Sequence, residues 1–164
     1  MVLLSGEAGI GKSRLVQVLK EHITSEPHTR IEWRGPPYHQ HSALYPIIDH
    51  LHRLLQGHHD AAPAEQLRTL EAALTASGVV LTEAVPLLAA LLSLPLPASY
   101  ASLTLTPQRQ RQQTLETLLA WLHMEAQRQP VLLIVEDLHW LDPSTVELLS
   151  LLIDQCARCV SVWS

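Results

Sequence analysis

Residues 6 to 13 read GEAGIGKS, three glycines and then a lysine and a serine in the spacing G-x-x-x-x-G-K-[ST]. These residue types suit one piece of chemistry, the binding of phosphate groups. Glycines at 6, 9 and 11 allow positive φ and close backbone approach to a ligand. The N–H groups of such a loop converge on phosphate oxygens. A helix starting near Lys12 adds the positive end of its dipole. Lys12 can then reach β- and γ-phosphates as a point charge, and the Ser13 hydroxyl can reach Mg²⁺. At ordinary residue frequencies the pattern arises by chance at roughly 1 in 20,000 positions, so composition alone does not explain it. The candidate nucleotide contacts are Gly6, Glu7, Ala8, Gly9, Ile10, Gly11, Lys12, Ser13 and Arg14.

A second signal lies far along the chain. Val131 to Val135, VLLIV, ends in Glu136-Asp137. Five apolar residues in a row suit a buried parallel strand, and Pro130 stands where a strand can begin. Carboxylates at the C-terminal end of such a strand lie where α/β sheets bind ligands. A phosphate-bound Mg²⁺ takes carboxylate oxygens, and an attacking water needs a group to orient it. By position Glu136 serves the metal and Asp137 the water. The reverse assignment fits the sequence equally. The shorter Asp reaches about one C–C bond less far, which favours slow hydrolysis.

The elements that must position these groups can be read from periodicity. Met1 to Leu4 is a short apolar run suited to a strand before the loop. Leu15, Val16, Val18, Leu19 and Ile23 then fall at helical spacing. Arg30 to Arg34 is the second strand. Ser42 is a helix cap for Leu44, Ile47, Ile48, Leu51 and Leu55, with Pro46 tolerated in the first turn. Leu67, Leu70 and Leu74 mark another helix, and Thr82 to Ser93 a third, broadly apolar and so buried. Leu94 to Pro107 is a proline-rich loop. Thr106 and Pro107 open a long helix bearing Leu115, Leu118, Leu119 and Leu122. Asp142 caps the last helix, with Pro143 in its first position. Trp140 reads as packing rather than recognition, and His139 as a residue near the site that could sense phosphate. The terminal CVSVWS reads as a short strand.

Composition closes off other classes. The chain has 164 residues, 47% hydrophobic and 16% charged, with a net charge of −5, which suits one folded domain rather than disorder. The longest apolar stretch, Ala84 to Ala98, is interrupted by Pro86, Pro95 and Pro97 and is too short to span a bilayer. MVLLSGEAG lacks the basic start and long apolar stretch of a signal peptide, so the cytoplasm is the expected location. No basic stripe is available for a nucleic-acid backbone. Cys156 and Cys159 form a lone C-x-x-C, half of a structural zinc set, and read as reduced thiols. His39, His41, His50, His52, His58 and His59 crowd one region, but no H-E-x-x-H spacing occurs and no metal is expected there. Arg109 and Arg111 open the long helix without an acid, against its dipole. They read as a solvated face or as the mark of an anionic partner.

GEAGIGKSRL, PYHQHSALYPIIDHL, PQRQRQQTLETLLAWL and PVLLIVEDLHWLDPSTVELL together resemble the bacterial AAA/STAND-type ATPases, whose module is similar to origin-recognition AAA domains. The resemblance covers nearly the whole chain. It implies an α/β P-loop NTPase fold in three layers. The sheet would be mostly parallel and five-stranded, with the Walker A and Walker B strands as neighbours. Residues 35–106 would form a loop and helical insertion between the second strand and the Walker B strand. It implies ATP or ADP with Mg²⁺, phosphate contacts at Gly6 to Ser13, metal contacts at Ser13 and Glu136, and catalytic roles for Lys12, Glu136 and Asp137. Such modules occur in multidomain regulators beside class III adenylate/guanylate cyclase domains or ahead of helical repeats, so further domains and oligomers are the implied partners.

The family also has an adenine-side segment, a sensor strand ending in a basic residue, and a lid. None is expected within residues 1–164, so the chain reads as a partial domain. Three functions follow from the sequence. The first is an ATPase module of a signalling or transcriptional regulator. The second is a nucleotide-binding module without turnover. The third, a DNA-associated loader, is disfavoured by the acidic balance.

Overall fold

The computed structural model describes residues 6, 7, 9–23, 27–35, 38, 42–55 and 62–160, the last five as backbone only. The elements in order are α1 (Lys12–Ile23), β1 (Thr29–Arg34), α2 (Tyr45–Leu55), α3 (Pro63–Ser77), α4 (Leu81–Leu91), α5 (Pro107–Arg128), β2 (Val131–Glu136), a 3-10 turn (Leu138–Trp140) and α6 (Pro143–Val160). The two strands pair in parallel, from Thr29 opposite Val131 to Arg34 opposite Glu136. A parallel pair needs a crossover connection. Here the crossover carries four helices, α2 to α5.

The leucine spacing explains why those helices stay on the sheet. Leu51 and Leu55 of α2, Leu70 and Leu74 of α3, Leu88 of α4 and Leu118 of α5 are almost wholly buried. They form one core with Ile31 and Trp33 of β1 and Leu148 of α6. The alternation in TRIEWR divides β1 into this core face and a charged face of Arg30, Glu32 and Arg34. The strand therefore belongs at once to the core and to the surface that bears the ion pairs described below.

Most sequence expectations hold to within a residue or two, and four change. α2 begins at Tyr45 rather than just after Ser42, because Leu44 takes a left-handed φ of 58°. α4 ends at Leu91, short of Ser93, which also has a positive φ of 55°. Cys159 and Val160, expected in a strand, continue α6. The rest of CVSVWS, like the Met1–Leu4 strand, lies outside the described residues. Arg111 has its anionic partner inside the chain. It bonds Glu147 and, at 3.3 Å, the Ser144 hydroxyl, tying α5 to α6.

Asp142 does more than cap α6. Its carboxylate is 2% exposed and accepts the N–H groups of Ser144 at 3.0 Å and Thr145 at 3.1 Å. The Thr145 hydroxyl donates to its other oxygen. It also accepts the Leu44 N–H at 3.1 Å, across 98 residues of chain. A left-handed Leu costs roughly 1–2 kcal/mol. The bond to Asp142 offsets that cost and fixes the start of α2 against the start of α6.

Asp142→Ala is expected to lower stability by about 2–4 kcal/mol, from the lost cap and the unpaired buried N–H groups. Asp142→Asn, which keeps one acceptor oxygen, should lose less than half of that. Urea unfolding of the three proteins measures the difference.

Candidate functional site

Gly9 and Gly11 have φ of 84° and 95°, and among the described residues a Cβ built on either meets no atom within 4 Å. The loop is open at these two positions, and its backbone sits where only glycine is at ease. The first helical bond of α1 runs from Leu15 N–H to the Gly11 carbonyl at 3.1 Å. The N–H groups of Lys12, Ser13 and Arg14 are thus the unsatisfied first-turn donors of the helix. No acid stands in that turn. Donors, dipole and open glycines fit a phosphate group. Lys12 Nζ bonds the carbonyls of Gly6 and Glu7, each at 2.7 Å. Its charge is folded back over the loop and remains partly exposed to solvent. Ser13 and Arg14 are exposed, and Ala8 lies outside the described residues.

At the end of β2 the backbone turns sharply. Asp137 adopts φ 58° and ψ 46°, and its carbonyl accepts the Trp140 N–H at 2.9 Å. Gly35 packs against this turn. Its N–H donates to the Glu136 carbonyl at 3.2 Å, and a Cβ at Gly35 would lie 2.7 Å from the Asp137 oxygen. The exposed Asp137 carboxylate makes no bond among the described residues. The Glu136 carboxylate, by contrast, is held by Arg34 at 2.9 Å. Ser13 and Glu136 offer the oxygen donors that Mg²⁺ prefers. His139 is exposed and lies 5.0 Å, centroid to centroid, from half-buried Trp140.

One row of ion pairs runs from the helix of the loop to the acidic strand end. Lys20 of α1 meets Glu32 at 2.9 Å, Arg34 meets Glu32 at 3.7 Å, and Arg34 continues to Glu136. Arg30 adds a further cation at 3.1 Å from Glu32. The Glu32 carboxyl is held below its ordinary value of 4.5, first by the hydrogen bond from Lys20 and then by the surrounding cations, against burial, which raises it. α1 has no buried residue, so the Lys20–Glu32 pair is a principal tie between this helix and the sheet. Of this row the sequence marked Glu136 as a site residue and left Lys20, Glu32 and Arg34 unmarked. The signal was the alternation Arg30, Glu32, Arg34 on a strand with Gly35 directly after it.

Of the clustered histidines, His50 and His52 lie on α2, and the others lie outside the described residues. Burial holds His50 below its ordinary value, and its ring lies 6.4 Å from that of Trp121. Among the described residues no three His, Cys, Asp or Glu side chains group as a metal site. Among them, too, no helix is long and apolar enough to cross a membrane.

A family model for the AAA ATPase domain matches residues 1–161. The chain belongs to this family. AAA domains generally use ATP and Mg²⁺, in keeping with the loop and the strand end described above. An uncharacterized protein of Rhizobium meliloti (strain 1021) is 28% identical over 153 residues. The match takes in 91% of this chain and 14% of that protein, so the AAA chain spans a small part of its relative's length. No solved structure matches it.

The lowered Glu32 carboxyl gives the folded chain a pH signature. A group that binds its proton less tightly when folded favours folding above its ordinary value of 4.5 and loses that contribution as pH falls through the lowered value. Wild type should therefore lose stability more steeply than Glu32→Gln on acidification below about pH 4.5, as followed by urea midpoints at stepped pH. Parallel curves for the two proteins would contradict the ion-pair row.

Proposed function

We propose that this AAA domain is the Mg²⁺-dependent ATP-binding module of a larger signalling or transcriptional regulator of the STAND type, hydrolysing slowly. The observation that carries the reading is the open glycine loop set against the three unsatisfied N–H groups at the start of α1. In this reading the backbone from Gly6 to Ser13 cradles the phosphates, with the amide of Arg14 closing the first helical turn. Lys12 leaves the carbonyls of Gly6 and Glu7 and turns its charge to the β- and γ-phosphates. Ser13 and Glu136 would hold Mg²⁺, which would neutralise charge at the phosphates. Asp137 orients the attacking water.

Two features support slow chemistry. The water-facing carboxylate is the shorter one, and near-attack geometry is sensitive to about 1 Å. Glu136 is already engaged by Arg34, so it must share or leave that partner before it serves a metal. The same contact favours the second reading, a module that binds nucleotide and does not turn it over. The helices α2 to α4 would form the insertion that separates the second strand from the Walker B strand. The wider context, a cyclase domain or helical repeats, rests on the sequence resemblance and on the small share of the relative that the chain spans.

Mg-ATP at about a hundredfold excess over Kd should stabilise the fold by about 2.7 kcal/mol, a rise of roughly 5–10 °C in melting temperature. Lys12→Ala should abolish the shift. An unchanged melting temperature, or an equal shift in the variant, would sink the nucleotide reading. Steady release of phosphate that disappears in Asp137→Ala marks turnover. Absence of release in both proteins, with binding intact, marks the second reading.

A further inference from the structure

A recess of about 460 Å³ opens between the start of α4, the middle of α5 and the segment 101–105. No residue of the glycine loop, β1 or β2 lines it, so the nucleotide reading does not account for it. Three observations converge there. First, residues 101–105 belong to no helix, turn or ladder and exchange no backbone hydrogen bond among the described residues. Their burial alternates at the two-residue period of an extended chain, with Leu103 and Leu105 half-buried and Ser102 and Thr104 exposed. Their main-chain N–H and carbonyl groups are without a backbone partner among the described residues. Second, the floor is apolar, formed in part by Ala84 and Leu87. Third, Glu83 faces the recess from α4 and Glu116 from α5, and no Lys, Arg or His lines it. Glu83 makes no side-chain bond among the described residues, and the bond of Glu116 there is to a neutral amide, Gln112, at 2.9 Å.

We propose that this groove docks an extended basic peptide segment of a partner protein. Its backbone pairs with residues 101–105, its cations meet Glu83 and Glu116, and its small apolar side chains lie on Ala84 and Leu87. Strand addition to a free edge supplies affinity through the main chain, while the flanking pockets and charges select the sequence. Carboxylates that line one recess without a cationic partner favour cations and disfavour acidic segments. This site is independent of the nucleotide loop, and Lys12→Ala should leave it intact.

The probe is the capped hexapeptide Lys-Val-Lys-Val-Lys-Val, whose lysines share one face when extended. Titrated into the full chain at low salt, it should shift the amide resonances of residues 101–105 and of the first turn of α4, with half-saturation at or below about 1 mM. The double variant Glu83→Gln, Glu116→Gln should bind about tenfold more weakly, and so should wild type in about 0.2 M salt. Both substituted positions are exposed, so the variant should keep the wild-type circular dichroism and melting curve. The Glu-Val counterpart and a Lys-Val peptide N-methylated at every residue should leave the resonances in place. The proposal is overturned if the Lys-Val peptide shifts nothing at about 5 mM. It is equally overturned if the acidic or N-methylated peptide shifts the same amides as far. If those amides move on concentrating the chain alone, the occupant is a second copy of this chain and the proposal fails.

Discussion

The parallel pairing of β1 with β2 is the constraint on which the rest of the chain depends. Two strands running the same way cannot be joined by a hairpin, so everything from Gly35 to Pro130 has to leave the end of one strand and return to the start of the other. The connection does so as four leucine-faced helices, which bury Ile31 and Trp33 and share one core with them. The pairing also places Arg34 opposite Glu136 and Gly35 under the turn at Asp137. The chemistry proposed for the strand end therefore depends on the register. A slip of one residue would put Trp33 or Gly35 opposite Glu136 and turn the charged face of β1 into the core.

The elements were legible where one physical rule acted alone. The leucine spacing of α3 and α5, the apolar run of β2 and the glycine pattern of the loop each state a local preference that packing then reinforces. Legibility failed where a distant partner decided. Ser42 has the right chemistry to cap a helix, yet Asp142 captures the Leu44 N–H and holds Leu44 in a left-handed conformation that delays the helix to Tyr45. Arg111 looked like a cation in want of an anion, and Glu147, on a different helix, is that anion. Cys159 and Val160 have β-favouring neighbours, but they continue α6, whose Leu148, Leu149, Leu152 and Ile153 fall at helical spacing. At the candidate site both ends could be read, as GEAGIGKS and as Glu136-Asp137. Arg34 could not, because its role exists only in the parallel register.

Burial and charge divide the work of cohesion. Helices α2 to α5 are held by apolar area, which is indifferent to salt and nearly indifferent to pH. The helix that follows the glycine loop is attached differently. Leu15, Val18 and Leu19 are exposed, while the Lys20 side chain is 10% exposed against Glu32. A helix fastened through charge moves at lower cost than one fastened through area, because water can replace its partner. The loop that reads as the ligand-binding part thus sits on the less firmly held part of the fold, where mobile functional segments are generally found.

The turn after β2 bears on the order of the two carboxylates. Position 137 has φ 58°, a conformation that Asp and Asn enter far more readily than Glu, because a short polar side chain can bond its own backbone there. Gly35 lies so close beneath the carbonyl that a Cβ there would stand 2.7 Å from the Asp137 oxygen, so this corner admits no side chain at position 35. The order Glu-Asp, rather than Asp-Glu, therefore places at this corner the acid that enters the left-handed conformation at lower cost. Backbone preference at this corner thus bears on the order of the two acids as well as reach, and the glycine just past β1 leaves the room for the turn.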